Sequence, residues 1–263
     1  MDALQLIALA LIQGVTEFLP ISSSGHLILP SQLLGWSDQG LAFDVAVHVG
    51  SLLAVVGYFR KDISKLFLAW IGSLRGQTST DSKLAWFVIW ATAPAGLAGL
   101  LFNDVIENHL RSVVVIASAT ALFGLVLGWA DIKGARRQTL DQLTLSQAML
   151  IGCAQALALI PGTSRSGITM TMGLAVGLKR QDAARFSFLL SIPLIALSGG
   201  YKAVGLIGES SIFWMDILLG VILSAMSATL CIHWFLKWID NLGMWPFVLY
   251  RLALAAVLLM FFA

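Results

Sequence analysis

A series of apolar stretches, each long enough to cross a lipid bilayer as a helix, constrains this 263-residue chain more than any other feature. A crossing needs about 20 apolar residues in helical conformation. Six stretches meet this requirement: 41–59, 84–103, 112–130, 183–204, 212–236 and 244–262. Hydrophobic residues make up 58% of the chain and charged residues 11%, which excludes a soluble domain with a polar surface. We therefore expect one integral membrane domain over 1–263.

The apolar stretches also determine the fold class. They are continuous and do not alternate with polar residues, so the backbone hydrogen bonds must be satisfied within helices and not in a barrel. The class is all-α. The net charge of +2 gives no reason to expect nucleic acid as a partner. Cys153 and Cys231 lie in apolar stretches, where neither a disulfide nor a metal-binding spacing is expected. Asp2 precedes the first apolar segment without a basic residue, so we expect that segment to be retained and not cleaved as a signal peptide.

Two further apolar regions are interrupted by polar residues. Residues 3–35 are broken by PISSSGH at 20–26, and residues 144–178 are broken by PGTSRSGIT at 161–169. Each arm of the first region has about 15 residues, fewer than a crossing needs. Irregular backbone at membrane depth is tolerated where it is buried in protein or lines a wet cavity. We expect two re-entrant helical hairpins, each entering and leaving the membrane on one face.

The two broken regions also resemble each other. A shift of 142 residues brings five identical residues into register, pairing Gln13 with Gln155, Ser22 with Ser164, Ser24 with Ser166, Gly25 with Gly167, and Gly35 with Gly177. Each half, about 1–131 and about 142–263, then holds one hairpin and three crossings. Because three is odd, the second half must be inserted upside down. Such inverted-topology repeats bring broken helices together near the membrane midplane.

The distribution of basic residues predicts the orientation. One face receives eleven of them: Arg60, Lys61, Lys65, Arg75, Lys83, Lys133, Arg136, Arg137, Lys179, Arg180 and Lys237. The opposite face keeps only Arg111 and Lys202. The positive-inside rule then places both termini outside the cytoplasm, with the first hairpin entering from the exterior. Eight full crossings would instead make the halves parallel and would weaken this bias.

Ionisable groups inside membrane segments are costly and indicate function. Glu17 is the clearest case, and Gln13 shares its helix face one turn earlier. Ser22, Ser23 and Ser24 exceed what one helix cap needs. His26 follows on the same face, and histidine is the usual base for activating a serine. The alternatives are a structural role for Glu17 inside the bundle and a buried, neutral, hydrogen-bonded His26.

The second hairpin has a different set of polar residues. Ser164, Arg165, Ser166 and Thr169 lie at the start of its second arm. A half-helix N-terminus presents free N–H groups to anions, and arginine is the preferred fork for phosphate oxygens. The alternative is that Arg165 pairs with a helix C-terminus. Other polar residues were interpreted as structural or interfacial because they lie at or near segment ends: Asp44, His48, Arg185, Ser187, Asp216, His233, Tyr250 and Arg251.

Several motifs resemble those of the bacterial undecaprenyl-diphosphatase family, also described as bacitracin-resistance proteins. They are QGVTEFLPISSSGH and PGTSRSGIT, with AFDVAVHVGSLLAV, RFSFLL and WPFVLYR in the expected order. The resemblance covers essentially the whole chain. It implies an inner-membrane enzyme that removes the terminal phosphate from a C55 isoprenoid diphosphate. The monophosphate product is then recycled as the glycan carrier for peptidoglycan and other envelope polymers, and bacitracin resistance follows.

The resemblance also implies roles for individual residues. The nucleophile falls on Ser23, the histidine on His26 and the arginine on Arg165, while Gln13 and Glu17 fill the first motif. Gln13 leaves one carboxylate fewer than some relatives have there. The family implies a divalent cation, Mg²⁺ or Ca²⁺, for which Glu17 is the candidate ligand. The expected phosphate-binding residues are Gln13, Ser22, Ser24, Ser164, Ser166 and Thr169.

The expected mechanism has Ser23 attacking phosphorus or orienting a water, and His26 moving the proton. Glu17, assisted by Gln13, would hold His26 or a cation, and Arg165 would hold phosphate. A transporter or flippase of a polyprenyl phosphate lipid could use the same anion site. A non-catalytic membrane scaffold would not explain polar residues at two matched breaks. The partners expected are the polyprenyl diphosphate and membrane lipids, and the sequence leaves open whether the chain forms a homodimer.

Overall fold

The computed structural model describes residues 2–36, 39–110, 112–206 and 213–262. Within these ranges the chain forms α-helices, two short 3-10 helices and no β-strand, which confirms the all-α class. The helices are α1 (Ala3–Phe18), α2 (Ser23–Leu34), α3 (Gly40–Tyr58), α4 (Arg60–Ser73), α5 (Thr80–His109), α6 (Val113–Lys133), α7 (Leu145–Ala156), α8 (Arg165–Ala175), α9 (Arg180–Val204), α10 (Trp214–Leu242) and α11 (Trp245–Phe262). Arg111 lies outside the described residues.

Five helices in the described part of the chain are long and apolar enough to cross a membrane. They are α3, α5 over Thr80–Phe102, α6, α9 and α10, and they match the first five predicted stretches. The sixth predicted stretch, 244–262, forms α11, which is apolar but shorter than these five. The segment 60–73, which lies outside the six predicted crossings, forms helix α4.

Both predicted interruptions are present. The first lies between Phe18 and Ser23, where Leu19 is extended (φ −73°, ψ 147°), as expected of a residue before proline. The second lies between Ala156 and Arg165 and contains a 3-10 turn. Ser22 (φ 73°, ψ 94°) and Ser164 (φ 69°, ψ 111°) each precede the new helix with a positive φ. This conformation is unfavourable for residues other than glycine and concentrates at functional sites.

Close contact between helix backbones sets the position of α1 and α3. A Cβ on Gly14 of α1 would collide with Ser224 and Ser227 of α10. A Cβ on Gly50 of α3 would collide with the Val221 carbonyl, which also belongs to α10. Small residues allow membrane helices to approach this closely. The Ser224 hydroxyl also donates to the Val47 carbonyl of α3 at 2.7 Å. As a result α10 holds α1 and α3 side by side, together with the polar residues that they carry.

An ion pair with a buried carboxylate links α6, α9 and the connection between α10 and α11. Arg180 at the start of α9 donates from Nε and Nη2 to the two carboxylate oxygens of Asp131 in α6, at 2.6 and 3.0 Å. The Asp131 carboxylate also accepts the Met244 N–H at 3.2 Å. Asp131 is 2% exposed. Loss of Arg180 would leave this buried charge without its partner, which is strongly destabilising.

Candidate active site

The side chain of Glu17 lies at the centre of the site. Its Oε2 accepts from Gln13 Nε2 at 2.9 Å and from the Ser23 hydroxyl at 2.8 Å, while its Oε1 accepts from Arg165 Nη2 at 3.1 Å. The Nε2 of His48 in α3 lies 3.9 Å from Oε2. Glu17 is 8% exposed, so these partners, and not water, stabilise its charge. The two breaks therefore meet at this carboxylate, through Glu17 and Arg165, which are 148 residues apart in the chain.

Further contacts hold the second break against the first. The Ser166 hydroxyl donates to the Leu19 carbonyl at 2.7 Å. Arg165 Nη1 donates to the Ser187 carbonyl of α9 at 3.1 Å, and the guanidinium lies 5.9 Å from the centre of the Phe18 ring. Arg165 is thus held by a carboxylate, a carbonyl and an aromatic face. It pairs with Glu17 and not, as the alternative interpretation had it, with a helix C-terminus alone.

The remaining serines form matching pairs at the two breaks. The hydroxyls of Ser22 and Ser24 lie 3.2 Å apart, and those of Ser164 and Ser166 lie 3.2 Å apart. Ser164 also caps α8 by accepting the Gly167 N–H at 3.1 Å, whereas Ser22 makes no side-chain cap. Ser24 is exposed and Ser22 is buried. The first break therefore keeps hydroxyl groups that its helix does not need for capping.

The hydroxyl of Thr169, another predicted phosphate ligand, is fully engaged by protein partners. Thr169 is 1% exposed, and its hydroxyl contacts the Arg165 and Ser166 carbonyls at 2.9 and 3.1 Å and the Ser187 hydroxyl at 2.7 Å. These contacts join α8 to α9 beneath Arg165. Since the hydroxyl is already engaged, Thr169 is suited to supporting Arg165 rather than to contacting a phosphate itself.

His26 lies apart from the Glu17 cluster. Its Nδ1 is 2.7 Å from the Ser22 carbonyl, and its Nε2 is 2.5 Å from the Tyr250 hydroxyl of α11. A carbonyl can only accept, so Nδ1 carries the hydrogen and Nε2 accepts from the tyrosine. Within the described ranges, no hydrogen bond joins His26 to Ser23 or Glu17. Of the two roles expected for Glu17, holding His26 or holding a cation, the structure does not show the first, because the imidazole points toward α11.

Arg251 of α11 contacts both breaks without touching the carboxylate. It is completely buried, and it donates to the Pro20 carbonyl at 3.3 Å and to the Gly162 and Thr163 carbonyls at 3.0 and 2.9 Å. It also donates to the Thr120 carbonyl of α6 at 3.0 Å. Irregular backbone leaves carbonyls without helical partners, and one guanidinium satisfies several of them here.

Sequence reasoning missed four of these residues. It places His48, Ser187, Tyr250 and Arg251 at or near segment ends. In the structure His48 lies in the middle of α3, Ser187 lies within α9, and Tyr250 and Arg251 lie within α11. The rule that flags intramembrane ionisable groups would have selected His48 and Arg251. The structural pairing assigned to them does hold for Arg251, whose partners are backbone carbonyls.

The residues around Glu17 fit a hard divalent cation. Gln13 is fully buried, and its amide oxygen has no hydrogen-bond partner in the described part of the chain. This oxygen and the Glu17 carboxylate are the ligand types that Mg²⁺ and Ca²⁺ prefer. No group of three or more His, Cys, Asp or Glu residues suited to a metal occurs among the described residues. A cation here would complete its shell with substrate phosphate oxygens and water, as Mg²⁺ commonly does.

The fold and the site together define a class: an integral membrane protein with a buried polar site where two helix breaks contact each other. More particularly, the chain belongs to the family of the bacitracin resistance protein BacA, whose model matches residues 6–257. It is 61% identical to the undecaprenyl-diphosphatase of Saccharophagus degradans over 97% of each chain. It is 58% identical to those of Teredinibacter turnerae, over 98% of each chain, and Colwellia psychrerythraea, over 99% of each. The resemblance to undecaprenyl-diphosphatases is confirmed.

Proposed function

We propose that this chain hydrolyses undecaprenyl diphosphate to undecaprenyl phosphate and inorganic phosphate. This activity would recycle the lipid carrier for peptidoglycan and other envelope polymers and confer bacitracin resistance. The observation that carries the proposal is identity of 58–61% to undecaprenyl-diphosphatases over nearly the full length of each chain. The membrane fold and the polar site at the two breaks agree with it.

Ser23 is the proposed nucleophile and Glu17 its base. The Ser23 hydroxyl already points its hydrogen at Glu17 Oε2, at 2.8 Å, which leaves an oxygen lone pair for the terminal phosphorus. As the new Ser–O–P bond forms, the bond from phosphorus to the bridging oxygen breaks and undecaprenyl phosphate leaves. Water then hydrolyses the phosphoserine to release inorganic phosphate. In the alternative route Ser23 and Glu17 orient a water that attacks phosphorus directly.

Arg165 supplies the charge that phosphoryl transfer requires. In such reactions positioning and electrostatic stabilisation account for most of the catalysis. An incoming phosphate oxygen would replace Glu17 Oε1 on Arg165 Nη2, while the Ser187 carbonyl keeps the other arm of the guanidinium in place. Breaking the ion pair also releases the carboxylate to act on Ser23. One event would thus bind the substrate and free the base.

The hydroxyl and amide groups around the breaks complete phosphate binding. Ser22 and Ser24 stand at the N-terminus of α2, and Ser164 and Ser166 at that of α8, where free N–H groups and the helix dipole favour anions. Gln13 would contribute through its amide group. We assign Thr169 the supporting role that its contacts with Ser187 indicate.

Two histidines can handle protons, in different places. His48 donates from Nδ1 to the Asp44 carbonyl at 2.7 Å, and its Nε2 lies 3.9 Å from Glu17 Oε2. It is the group positioned to take the proton that Glu17 receives from Ser23. His26, paired with Tyr250, can move a proton along the other side of α2 through the tyrosine hydroxyl.

The proposed cofactor is Mg²⁺ or Ca²⁺, held by the carboxylate of Glu17 and the amide oxygen of Gln13. When bound, the cation neutralises part of the diphosphate charge. Cation binding can be measured without measuring activity. Electron paramagnetic resonance should show weaker binding of Mn²⁺ by a Gln13→Leu variant than by the wild type.

We further propose an inverted-topology repeat with halves at about 1–131 and about 142–263, six crossings and two re-entrant hairpins. In support, Ser22 and Ser164 share one unusual backbone conformation at a separation of 142 residues, and Gly35 and Gly177 both have positive φ. The protein would lie in the inner membrane with both termini and the active site facing the exterior. A reporter fused to the C-terminus should be active outside the cytoplasm, and activity confined to the cytoplasm would overturn this topology.

Phosphate release tests the function directly. Purified protein in detergent should release phosphate from undecaprenyl diphosphate, and a phosphoserine trapped by rapid quenching should map to Ser23. Binding without any release would favour the lipid transporter instead. Every proposed site residue comes from one chain, so the site itself does not require a homodimer.

A further inference from the structure

Helix α4 is amphipathic and differs from the rest of the bundle. None of its fourteen residues, all of them described, is buried. Ile63, Leu66, Phe67 and Trp70 share one face by helical spacing, whereas Lys61 and Lys65 lie on the opposite face. A short helix of this kind, with an apolar face and a basic face, is typical of segments that lie in the plane of the membrane interface.

The apolar face of α4 forms one wall of a groove. Its other walls come from α5, including Val88 and Ile89, and from α9, including Leu189, and the volume is about 280 Å³. Two of the lining side chains, Phe67 (56% exposed) and Ile89 (43% exposed), extend the apolar surface beyond the groove. The groove therefore opens toward the hydrocarbon of the bilayer. It contains none of the residues assigned to the active site.

One polar atom in this groove lacks a partner. The indole N–H of Trp70 is buried and has no hydrogen-bond acceptor among the described residues. The neighbouring Trp86, by contrast, donates its indole N–H to the Ser73 hydroxyl at 3.0 Å. A buried donor without an acceptor is costly, and tryptophan N–H groups in apolar surroundings usually find one. The described protein atoms leave this donor without an acceptor.

The chain segment that contains α4 is positively charged. Residues 60–83 contain five basic side chains, Arg60, Lys61, Lys65, Arg75 and Lys83, against two acidic ones, Asp62 and Asp81, for a net charge of +3. Asp62 is paired with Arg185 of α9 at 3.4 Å, so it does not offset the lysines of α4. Basic segments at the membrane surface attract anionic lipid headgroups.

We propose that the groove between α4, α5 and α9 binds one anionic phospholipid. An acyl chain occupies the groove, an ester or phosphate oxygen accepts the Trp70 N–H, and the headgroup lies within reach of Lys61 and Lys65. A zwitterionic phospholipid could fill the same volume, but its headgroup would gain nothing from these charges. The lipid would also pack against α9 two residues from Ser187, whose carbonyl holds Arg165.

Native mass spectrometry tests the site on the full chain. The protein would be reconstituted into nanodiscs of equimolar phosphatidylglycerol and phosphatidylcholine, released, and scored for the ratio of the two lipids retained. Each basic residue near the surface contributes about fivefold in affinity. We expect phosphatidylglycerol to exceed phosphatidylcholine by at least about fivefold in the wild type, and by less than about twofold in Lys61→Gln/Lys65→Gln.

Two matched controls separate this site from general effects. Arg136→Gln/Arg137→Gln removes the same charge from another loop and should keep the preference, whereas equal losses in both double variants would overturn the proposal. Trp70→Phe should lose the retained phosphatidylglycerol, while Trp86→Phe, whose N–H has a protein partner, should keep it. Equal retention of both lipids by the wild type, or equal retention by the two tryptophan variants, would also refute it.

Discussion

Replacing Glu17 with glutamine should abolish most of the phosphatase activity while leaving the shape of the site almost unchanged. Three hydrogen bonds end on this carboxylate, from Gln13, Ser23 and Arg165, at 2.8 to 3.1 Å. An amide presents one oxygen and one NH₂ group, so at least one of these donors would face another donor. The variant therefore loses both the base for Ser23 and the counter-charge of Arg165.

The magnitude follows from these two losses. A positioned general base contributes typically about 10²–10⁴ in rate, which corresponds to about 3–5 kcal/mol of transition-state stabilisation. Leaving the buried Arg165 without its carboxylate also destabilises the fold, although its contact with the Ser187 carbonyl remains. We expect kcat to fall at least about 100-fold, with a lower midpoint of thermal unfolding.

The assay is phosphate release from undecaprenyl diphosphate by purified protein in detergent, with thermal unfolding measured on the same samples. Asp141→Asn is the matched control, because it makes the same acid-to-amide change at an exposed residue of the 3-10 helix Leu140–Gln142, outside the Glu17 hydrogen-bond set. The control should stay within about threefold of the wild-type rate, a change of less than 1 kcal/mol. If Glu17→Gln kept a tenth or more of the wild-type kcat, Glu17 could not be the base.

Variants at four further positions extend the test to neighbouring residues. Ser23→Ala should eliminate any trapped phosphoserine, and an unchanged turnover rate would exclude the covalent route. Tyr250→Phe removes the hydroxyl on His26 Nε2 and should shift the pH profile of kcat without loss of folded protein; an unmoved profile would separate His26 from proton transfer. Arg251→Lys has fewer donors than the guanidinium and leaves some of these carbonyls unpaired, at a cost of about 1–3 kcal/mol each. Thermal unfolding should therefore occur at a distinctly lower temperature. Ser22→Gly should relieve a positive φ and stabilise the protein by about 1 kcal/mol in denaturant titrations, whereas Ser22→Ala should not.

Much of the fold follows from local sequence patterns. The apolar stretches and the two breaks depend on runs of neighbouring residues, and Pro20 together with the serines shows where helix α1 has to end. The contact between Gln13 and Glu17 depends only on helical spacing. Length and hydropathy did not predict helix α4. Its segment is basic, half apolar and fourteen residues long, which is too short and too polar for a membrane crossing.

The partners of each polar residue could not be obtained in this way. The ring of His26 is turned away from Ser23 by a hydroxyl 224 residues further along the chain, and no pattern around residue 26 contains that information. Likewise His48 lies near Glu17 only because α1 and α3 both pack closely against α10, at Gly14 and Gly50. Which of two histidines faces a carboxylate is thus decided by tertiary packing, while the presence of both is evident from the sequence.

The burial of Arg251 has a consequence for the electric field of the site. The charges of Glu17 and Arg165 compensate each other across 3.1 Å, whereas Arg251 has no ion-pair partner among the residues that the structure describes. Its neighbours are carbonyl dipoles, which lower the energy of the cation without cancelling its unit charge. The two breaks therefore carry one uncompensated positive charge in a medium that screens poorly, and its potential reaches well beyond hydrogen-bond distance. A residue that never touches the substrate would thereby draw a diphosphate headgroup toward the interior of the membrane.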